Sequence, residues 1–463
     1  MKMRLAAAGL LVLVTCSCFS QTHYPVLMIS IDGMRPDYVT RADEHHLRIP
    51  NLRQFVSGGT FASGVRGVYP TVTYPSHTTL VTGVWPAEHG IINNLIFDPE
   101  HRYDGGWYWY ADQIRVPTLW DAAHAAGLRT ASVSWPVTVD SKAIDYNLPE
   151  YWRGTLTPDG GSPEDRFMMD AVSRPDGELE KMEQRIGPYM KGNETTINGD
   201  RIRTAFAVDI LRRDHPDFMT VHLSSLDEEE HLHGPFSPAA NADLEVLDGF
   251  IGELIAAARE ANADTTVIIV SDHGFAPIHD AVNLFIPFLQ AGLITPGKPA
   301  AGSPLPGIQS WSAEPWMAGG MAAIMLHDPE DTVAREKVKQ LLDKLAADPA
   351  NGIDRVLTGA ELGETGGFPG AAFLVTFRIG FYTGAATSGP LLTPTPGRGT
   401  HGYPPDDPEM YSSFFAMGPE VAKGRNLGLI DMRQIAPTIA GLLGVALPTA
   451  KEKPLALTAQ TTR

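Results

Sequence analysis

Residues 267–274 read VIIVSDHG, and this stretch decides the fold class. Its apolar first half is typical of a strand that is buried on both faces, as the strands of a parallel sheet are. Asp272 and His273 follow the strand, at the start of the next loop. Apolar runs at 26–31 and 218–223 also end beside acidic residues or histidines. The pattern predicts a parallel sheet whose strand ends carry ionisable side chains.

Runs typical of strands alternate with helical patterns along most of the chain. Further apolar or β-branched runs lie at 130–135 and 414–417. A long helix with a regularly spaced apolar stripe is expected to begin at Ser237 and Pro238, and a terminal helix is expected over 431–443. This alternation indicates an α/β fold with a doubly wound, mostly parallel sheet. In such sheets, ligands bind beyond the carboxyl ends of the strands.

Two segments interrupt the alternation. Residues 155–200 are polar and contain proline and glycine, and we expect them to cover the rim of the site. Residues 284–396 have proline- and glycine-rich ends around one helical pattern near 333–345, which indicates an inserted cap or subdomain. The chain is therefore divided into a signal peptide at 1–20, an α/β core at 21–283 and 397–450, and an inserted subdomain at 284–396.

The N-terminus is typical of a cleaved export signal. A basic start precedes an apolar stretch at 5–14, which is too short to span a membrane. We expect a periplasmic or secreted protein. Both cysteines, Cys16 and Cys18, lie in this segment, and either could carry a lipid anchor, although the preceding residues fit that signal poorly. Cleavage near Gln21 would leave no cysteine, so a metal would be held by His, Asp and Glu.

The charge of the chain limits its partners. The formal net charge is −18 at pH 7. A surface this acidic repels polyanions, so a long nucleic acid is not an expected partner. A small phosphodiester or nucleotide can still be drawn in by local cations. The sequence does not specify the oligomeric state.

The strand-end residues and one loop histidine supply two sets of metal ligands. The sets are Asp32, Asp272 and His273 for one ion and Asp227, His231 and His401 for the other. Imidazole combined with carboxylate suits zinc, and the same ligands do not exclude manganese or iron. Two ions about 4 Å apart can stabilise both the attacking and the leaving oxygen of an in-line displacement.

The candidate nucleophile is Thr73. It lies in residues 69–77, which read YPTVTYPSH, and the two prolines restrict the backbone around its hydroxyl. A threonine hydroxyl is a weak nucleophile until a metal lowers its pKa. Asn94 could donate its amide to a phosphoryl oxygen, or it could cap a turn.

These motifs, taken in order, resemble the nucleotide pyrophosphatase/phosphodiesterase family of the alkaline phosphatase superfamily. The matching pieces are SIDG at 30–33, PTVTYPSH at 70–77, LVTG at 80–83 with Pro86 and HGII at 89–92, WP at 135–136, Asp227 with His231, SDHG at 271–274 and HGY at 401–403. Each piece alone is weak evidence for the family. The pieces occur in the family's order, however, and together they cover most of the chain.

The resemblance implies an alkaline-phosphatase-like core and hydrolysis in two steps with two Zn²⁺. It implies that Thr73 forms a phospho-threonine and that its oxygen also binds the zinc held by the set containing Asp32. The set containing Asp227 would hold the zinc that activates water, and Asn94 would bind the phosphoryl oxygen. The enzyme would be a phosphodiesterase I or nucleotide pyrophosphatase.

Two features bear on the substrate. Residues 227–231 read DEEEH where the family has Asp-Ser-Ser-Gly-His, and added carboxylates beside a metal disfavour highly charged substrates. The family also stacks a nucleobase between aromatic rings. Tyr74 is a candidate for one face, and Tyr151 or Trp152 for the other. Stacking tolerates every base, so the base preference and the leaving group stay open.

Three other functions are considered. A phosphomonoesterase would need an added cationic clamp, but residues 136–141 lack the Lys-x-Arg pair of related phosphatases and Lys142 stands alone. A phosphonate hydrolase would need a lysine pocket, which the sequence does not reveal. A non-catalytic binding protein is disfavoured because every expected ligand and the nucleophile are present.

Overall fold

The computed structural model describes residues 24–99, 106–151, 163–189, 195–298 and 307–458. The expected signal peptide at 1–20, its Cys16 and Cys18, and the candidate stacking residue Trp152 lie outside the described residues.

Strands in the described part of the chain are numbered in chain order. They are β1 Val26–Ile31, β2 Thr60–Phe61, β3 Gly64–Arg66, β4 Thr130–Val133, β5 Tyr146–Leu148, β6 Phe218–Leu223, β7 Thr266–Val270, β8 Ala276–Val282, β9 Ile294–Gly297, β10 Gly307–Trp311, β11 Ala313–Ala318, β12 Met321–Leu326, β13 Ile353–Leu357, β14 Phe373–Phe377, β15 Phe381–Thr383, β16 Leu392–Thr400, β17 Phe414–Met417, β18 Arg425–Asn426 and β19 Leu429–Asp431.

The α-helices are numbered in the same way. They are α1 Asp37–Thr40, α2 Pro50–Gly58, α3 Thr73–Thr82, α4 Pro86–His89, α5 Leu119–Ala125, α6 Pro163–Val172, α7 Glu178–Ile186, α8 Ile197–Asp214, α9 Ser225–His233, α10 Pro238–Ala261, α11 Phe285–Gln290, α12 Thr332–Ala346, α13 Gly359–Glu364 and α14 Ile435–Leu443. None of these described helices combines the length and the apolar character that crossing a bilayer requires.

The central sheet has eight strands in the order β18-β2-β17-β7-β1-β6-β4-β5. The five strands from β7 to β5 run parallel to their neighbours, and β17 pairs antiparallel with β7. All five strand-like runs of the sequence lie in this sheet. The predicted α/β fold with a mostly parallel sheet is confirmed.

Both faces of the sheet are buried, as the continuous apolar runs predict. In β1, Leu27 and Ile29 join a core with α2, α8 and α10, whereas Val26 and Met28 join a second core with α3, α5 and α14. Alternate side chains of a strand point to opposite faces, so each apolar run packs against two helical layers.

The long helix α10 begins where the sequence predicts. Pro238 is its first residue, and the side chain of Ser237 accepts a hydrogen bond from the backbone N–H of Ala240. Such a cap satisfies one of the free N–H groups of the first turn. The C-terminal helix α14 is also present, preceded by a short 3-10 turn.

Residues 284–396 contain more strand than the sequence indicates. The expected helix is α12, but the segment also forms an antiparallel sheet in the order β11-β12-β14-β13 and a β9-β10 hairpin. Strand β16 returns to pair with β8 at the edge of the core. The described part of the expected polar rim segment at 155–200 likewise contains α6, α7 and the first residues of α8.

Candidate metal centre

The candidate ligands lie at one edge of the central sheet. Strand β1 pairs in parallel with β6 and β7, and Ile31 at its end is in register with Leu223 at the end of β6. Asp32 and Asp272 follow β1 and β7, and α9 follows β6. Within α9, Asp227 and His231 are four residues apart and therefore share one face of the helix.

The first cluster contains Asp32, Asp272 and His273, and all three are buried. The Nε2 atom of His273 lies 3.4 Å from Oδ1 of Asp32 and 3.1 Å from Oδ2 of Asp272. One atom from each residue lies within 4.8 Å of the other two, which is close enough for a single ion. The structure therefore brings together this predicted set.

The second cluster contains Asp227, His273 and His401. Nε2 of His401 lies 3.7 Å from Oδ1 of Asp227, and Nε2 of His231 lies 3.4 Å from the other oxygen of Asp227. The rings of His273 and His401 are stacked, with centroids 3.7 Å apart. All six predicted ligands thus converge, and His273 adjoins both clusters instead of only the first.

The three candidate histidines are oriented by the backbone. Their Nδ1 atoms lie 3.1 Å from the carbonyl oxygens of Gly399 for His231, Gly274 for His273 and Thr71 for His401. A carbonyl can only accept, so each Nδ1 carries a proton and donates it. The neutral imidazole then keeps its Nε2 lone pair for a ligand, and this arrangement is usual behind metal-bound histidines.

Several buried ligand atoms have no hydrogen-bond partner. They are Oδ1 of Asp32, Oδ1 of Asp227, Oδ2 of Asp272 and Nε2 of His273. An isolated carboxylate oxygen in a protein interior is costly unless a positive charge or a donor faces it. A bound cation would satisfy all four atoms. Carboxylate and imidazole donors are also those that zinc accepts, so the residues present fit such an ion.

The electrostatics of the clusters suit a bound cation. Burial raises the pKa of Asp32 well above its usual range, and the charge of Asp227 adds to this rise. Burial also raises the pKa of Asp272. Burial, followed by the neighbouring His231, lowers the pKa of His401 to about 3. His401 is therefore neutral at pH 7, as a metal ligand must be, and the crowded carboxyl groups would ionise readily beside a cation.

Residues behind the clusters hold the ligands in place. Nε2 of His222 lies 2.9 Å from Oδ2 of Asp32, and Nδ1 of His222 lies 3.1 Å from the carbonyl of Ser134 and 3.3 Å from a carboxylate oxygen of Glu150. The backbone N–H of Gly33 donates to Oδ1 of Asp272 at 3.2 Å. The sequence alone does not indicate these contacts of His222 or the position of Glu150.

Thr73 begins α3 and is half-buried. The Nδ2 atom of Asn94 lies 3.4 Å from its Oγ1. The Oδ1 atom of Asn94 accepts a hydrogen bond from the backbone N–H of Tyr74 at 2.9 Å, which fixes which end of the amide faces Thr73. An N–H donor thus points at the candidate hydroxyl.

The turn that carries Thr73 is tied to both clusters. Nδ1 of His77 lies 2.9 Å from the carbonyl of Thr73 and 3.6 Å from Oδ2 of Asp272. The carbonyl of Thr71 accepts from Nδ1 of His401. The turn that carries Thr73 is therefore held next to the ligand clusters by buried contacts.

The predicted stacking residues are placed differently from the expectation. Tyr74 is fully buried, and its ring packs against Trp107 at 5.1 Å and Trp109 at 6.1 Å. Its faces are covered, so the structure does not present Tyr74 as an open stacking surface. Successive helical residues point about 100° apart, which turns Tyr74 inward beside the more accessible Thr73. Tyr151 is partly exposed and lies 5.5 Å from Trp109.

The three glutamates of α9 do not share one environment. Glu230 is fully buried and accepts a hydrogen bond from the hydroxyl of Tyr38 at 2.9 Å. Glu228 and Glu229 are partly exposed, and Glu229 lies 3.6 Å from Nε2 of His233. Two of the three added carboxyl groups thus lie at the surface, whereas Glu230 is buried and electrostatically coupled to Asp227 and Asp32.

Comparison with known sequences gives one family. The model of the family described as type I phosphodiesterase / nucleotide pyrophosphatase matches residues 26–364. Ectonucleotide pyrophosphatase/phosphodiesterase family member 1 of Homo sapiens is 26% identical over 263 residues, which are 54% of this chain and 23% of the relative. An uncharacterized pyrophosphatase/phosphodiesterase of Schizosaccharomyces pombe is 27% identical over 268 residues, which cover 55% of this chain and 45% of the relative.

A venom phosphodiesterase of Macrovipera lebetinus is 27% identical over 257 residues, covering 55% of this chain and 26% of the relative. The chain thus spans less than half the length of these three relatives. Among solved structures, an inactive variant of murine ectonucleotide pyrophosphatase/phosphodiesterase 5 in complex with AMP aligns with a TM-score of 0.61 at 21% identity, covering 93% of this chain and 96% of that one. The human counterpart aligns with the same TM-score and coverage at 20% identity. These likenesses show a shared fold.

Proposed function

The chain belongs to the type I phosphodiesterase / nucleotide pyrophosphatase family, and we propose that it hydrolyses nucleotide-type phosphodiesters or pyrophosphates. The proposal includes two zinc ions and a covalent intermediate on Thr73. One observation supports it most strongly: six Asp and His side chains converge next to the turn that carries Thr73, and four of their buried atoms lack a hydrogen-bond partner. The AMP in the aligned murine structure belongs to that protein, and it supports a nucleotide here.

The proposed ligand sets divide the six converging side chains as the family resemblance implies. Asp32, Asp272 and His273 would hold one ion, with Thr73 beside it. The other ion would be held by Asp227, His231 and His401. Bound zinc supplies positive charge that stabilises a phosphoryl group and lowers the pKa of a nearby hydroxyl or water.

Thr73 and Asn94 would carry the covalent chemistry. Oγ1 of Thr73 would attack phosphorus while the bond from phosphorus to the leaving oxygen breaks, and the proton lost from Thr73 would be taken up by the departing oxygen. Water then attacks the phospho-threonine, the bond from phosphorus to Oγ1 breaks, and the Thr73 hydroxyl is restored. The Nδ2 donor of Asn94, 3.4 Å from Oγ1, is positioned to bind a phosphoryl oxygen during both displacements.

The pairing of Arg35 and Lys142 with other groups favours diesters over monoesters. A monoester carries one more negative charge and needs a further cation. Arg35 is occupied by Asp37 and by the carbonyl of Phe275. Lys142 is 78% exposed and pairs with Asp140. Neither side chain is free to bind a third phosphate oxygen.

A rate comparison tests the substrate class. The zinc-loaded protein would be assayed with a nucleotide p-nitrophenyl ester, bis-p-nitrophenyl phosphate and p-nitrophenyl phosphate. We expect the nucleotide ester to be fastest and the monoester slowest, by at least roughly a hundredfold in kcat/KM. A preference for the monoester would overturn the diesterase proposal, and metal analysis that finds no zinc would overturn the metal assignment.

We also propose that the core at 21–283 and 397–450 carries the catalysis and that the insertion at 284–396 shapes one side of the site. The apolar N-terminal stretch at 5–14 supports export to the periplasm or the medium. N-terminal sequencing of the protein recovered from each fraction would test export, and a full-length cytoplasmic product would contradict it.

A further inference from the structure

A cavity of about 540 Å³ lies between the loop that follows Asn94 and the inserted subdomain. This volume falls within the range of about 300–1,000 Å³ found for small-molecule sites. Its walls include Phe97, Leu289, Ile308 and Trp316, and none of the candidate metal ligands lines it. The cavity is therefore separate from the candidate metal centre.

The cavity adjoins the candidate centre through the backbone. Leu95, the residue after Asn94, lines it, and its carbonyl accepts a hydrogen bond from Nε1 of Trp316 at 3.2 Å. Nδ2 of Asn93 donates to the carbonyl of Met317, another lining residue, at 2.9 Å. The wall of the cavity and the position of Asn94 are thus fixed by the same contacts.

One buried carboxyl group stands out in this apolar wall. Glu314 is only 3% exposed, and its Oε2 atom has no hydrogen-bond partner. Glu314 and Trp316 are two residues apart on β11, so they lie on the same face of the strand. The other charged residue among the described lining residues is Asp98, which has the same sign. Burial, with the charge of Asp98 adding to it, raises the pKa of Glu314 to about 8.

We propose that this cavity binds an apolar ammonium compound, with the ammonium nitrogen at Glu314 and the hydrocarbon body against Phe97 and Trp316. A cation beside the Glu314 carboxylate would compensate its buried charge, and the aromatic rings would pack against the hydrocarbon body. Among the described lining residues, the acids Glu314 and Asp98 offer an anion no positive charge, and a neutral hydrocarbon leaves the ionised Glu314 uncompensated. A divalent metal ion needs more oxygen ligands than these two residues and apolar walls offer.

The proposal is tested with three probes that differ in charge. Dissociation constants for phenylbutylammonium, phenylbutanol and phenylbutyrate would be measured by NMR titration on the zinc-loaded full chain at pH 8.5. We expect the ammonium compound to bind at least roughly tenfold more tightly than the alcohol, and phenylbutyrate to bind most weakly. Equal binding of ammonium and alcohol, or binding of none of the three, would overturn the proposal.

Two variants locate the site. Glu314→Gln keeps the shape and removes the charge, so the preference for ammonium should disappear while the alcohol binds as before. Ala385 is an exposed lining residue, and Ala385→Trp should block all probes. Glu364→Gln, an exposed change of the same charge, is the matched control and should alter nothing. A preference that persists in Glu314→Gln contradicts the assignment.

A pH series gives a further check. The ammonium group of the probe resembles that of lysine and stays charged up to about pH 9. Ionisation of Glu314 between pH 7 and pH 9 should therefore raise the affinity about tenfold, because the ionised fraction rises from about one tenth to about nine tenths. A flat profile would contradict ion pairing. These titrations need no turnover, so they remain decisive if the proposed hydrolysis is not observed.

Discussion

His222 and Asp32 form a buried pair in which Nε2 of His222 lies 2.9 Å from Oδ2 of Asp32. The other oxygen of Asp32 lies 3.4 Å from Nε2 of His273 and has no hydrogen-bond partner. One oxygen of Asp32 is thus hydrogen-bonded to His222, while the other faces the cluster. Contacts of this kind fix the direction of a ligand and tune its affinity for metal.

Replacing His222 by Gln should weaken zinc binding about 10- to 100-fold, because Asp32 loses the partner that orients it. Competition with a zinc chelator measures the effect. His233→Gln is the matched control, since His233 is 54% exposed and pairs only with the partly exposed Glu229 among the contacts described. Unchanged affinity in His222→Gln would show that Asp32 is positioned by other contacts.

Thr73→Ala should abolish turnover of the nucleotide ester and leave the zinc content nearly intact, because six other ligands remain. Thr73→Ser restores a hydroxyl at the same place and should recover measurable activity. Assays would be paired with metal analysis of each variant. Full activity of Thr73→Ala would exclude the covalent step on this residue.

Asn94 can be tested separately for binding of the phosphoryl group and for support of the backbone. Asn94→Ala removes both functions, whereas Asn94→Asp keeps an oxygen for the N–H of Tyr74 and loses the donor that faces Thr73. We expect both variants to lower kcat about 10²- to 10³-fold. If Asn94→Asp kept nearly full kcat, the amide would serve the backbone alone.

The central sheet was predictable because its strands are buried on both faces. Residues 26–31, 218–223 and 266–270 each form a continuous apolar run, and this signal needs no knowledge of distant partners. Asp32, Asp272 and His273 follow two of those runs within three residues. The convergence of these three side chains follows from the parallel register of the strands, whereas Asp227 and His231 also depend on α9 and His401 on β16.

Contacts between distant residues could not be predicted in the same way. His222 and Asp32 are 190 positions apart, and nothing local to either indicates the pair. Strand β11 reads AEPWMA, and a glutamate with a proline argues against a strand. Its position at the edge of its sheet explains how the proline is tolerated. The burial of Tyr74 likewise depends on Trp107 and Trp109, far along the chain.

Glu314 should also make the stability of the protein depend on pH. Its folded pKa of about 8 lies above the value of about 4.3 expected in the unfolded chain. Between these two values the folded state holds one more proton, so the free energy of unfolding falls as pH rises, by up to about 1.4 kcal/mol per pH unit. The stabilisation is complete below about pH 4.3 and is lost above about pH 8.

Glu314→Gln cannot titrate, so its stability relative to the wild type should increase steadily from pH 5 to pH 8 and then level off. Urea unfolding of both proteins with zinc present measures this difference, and other titrating groups cancel in the comparison because they are shared. Glu364→Gln, which is exposed, should run parallel to the wild type throughout. A constant difference between Glu314→Gln and the wild type across this range would mean that Glu314 is ionised in the folded protein, and the carboxyl would then already have a positive partner without any ligand.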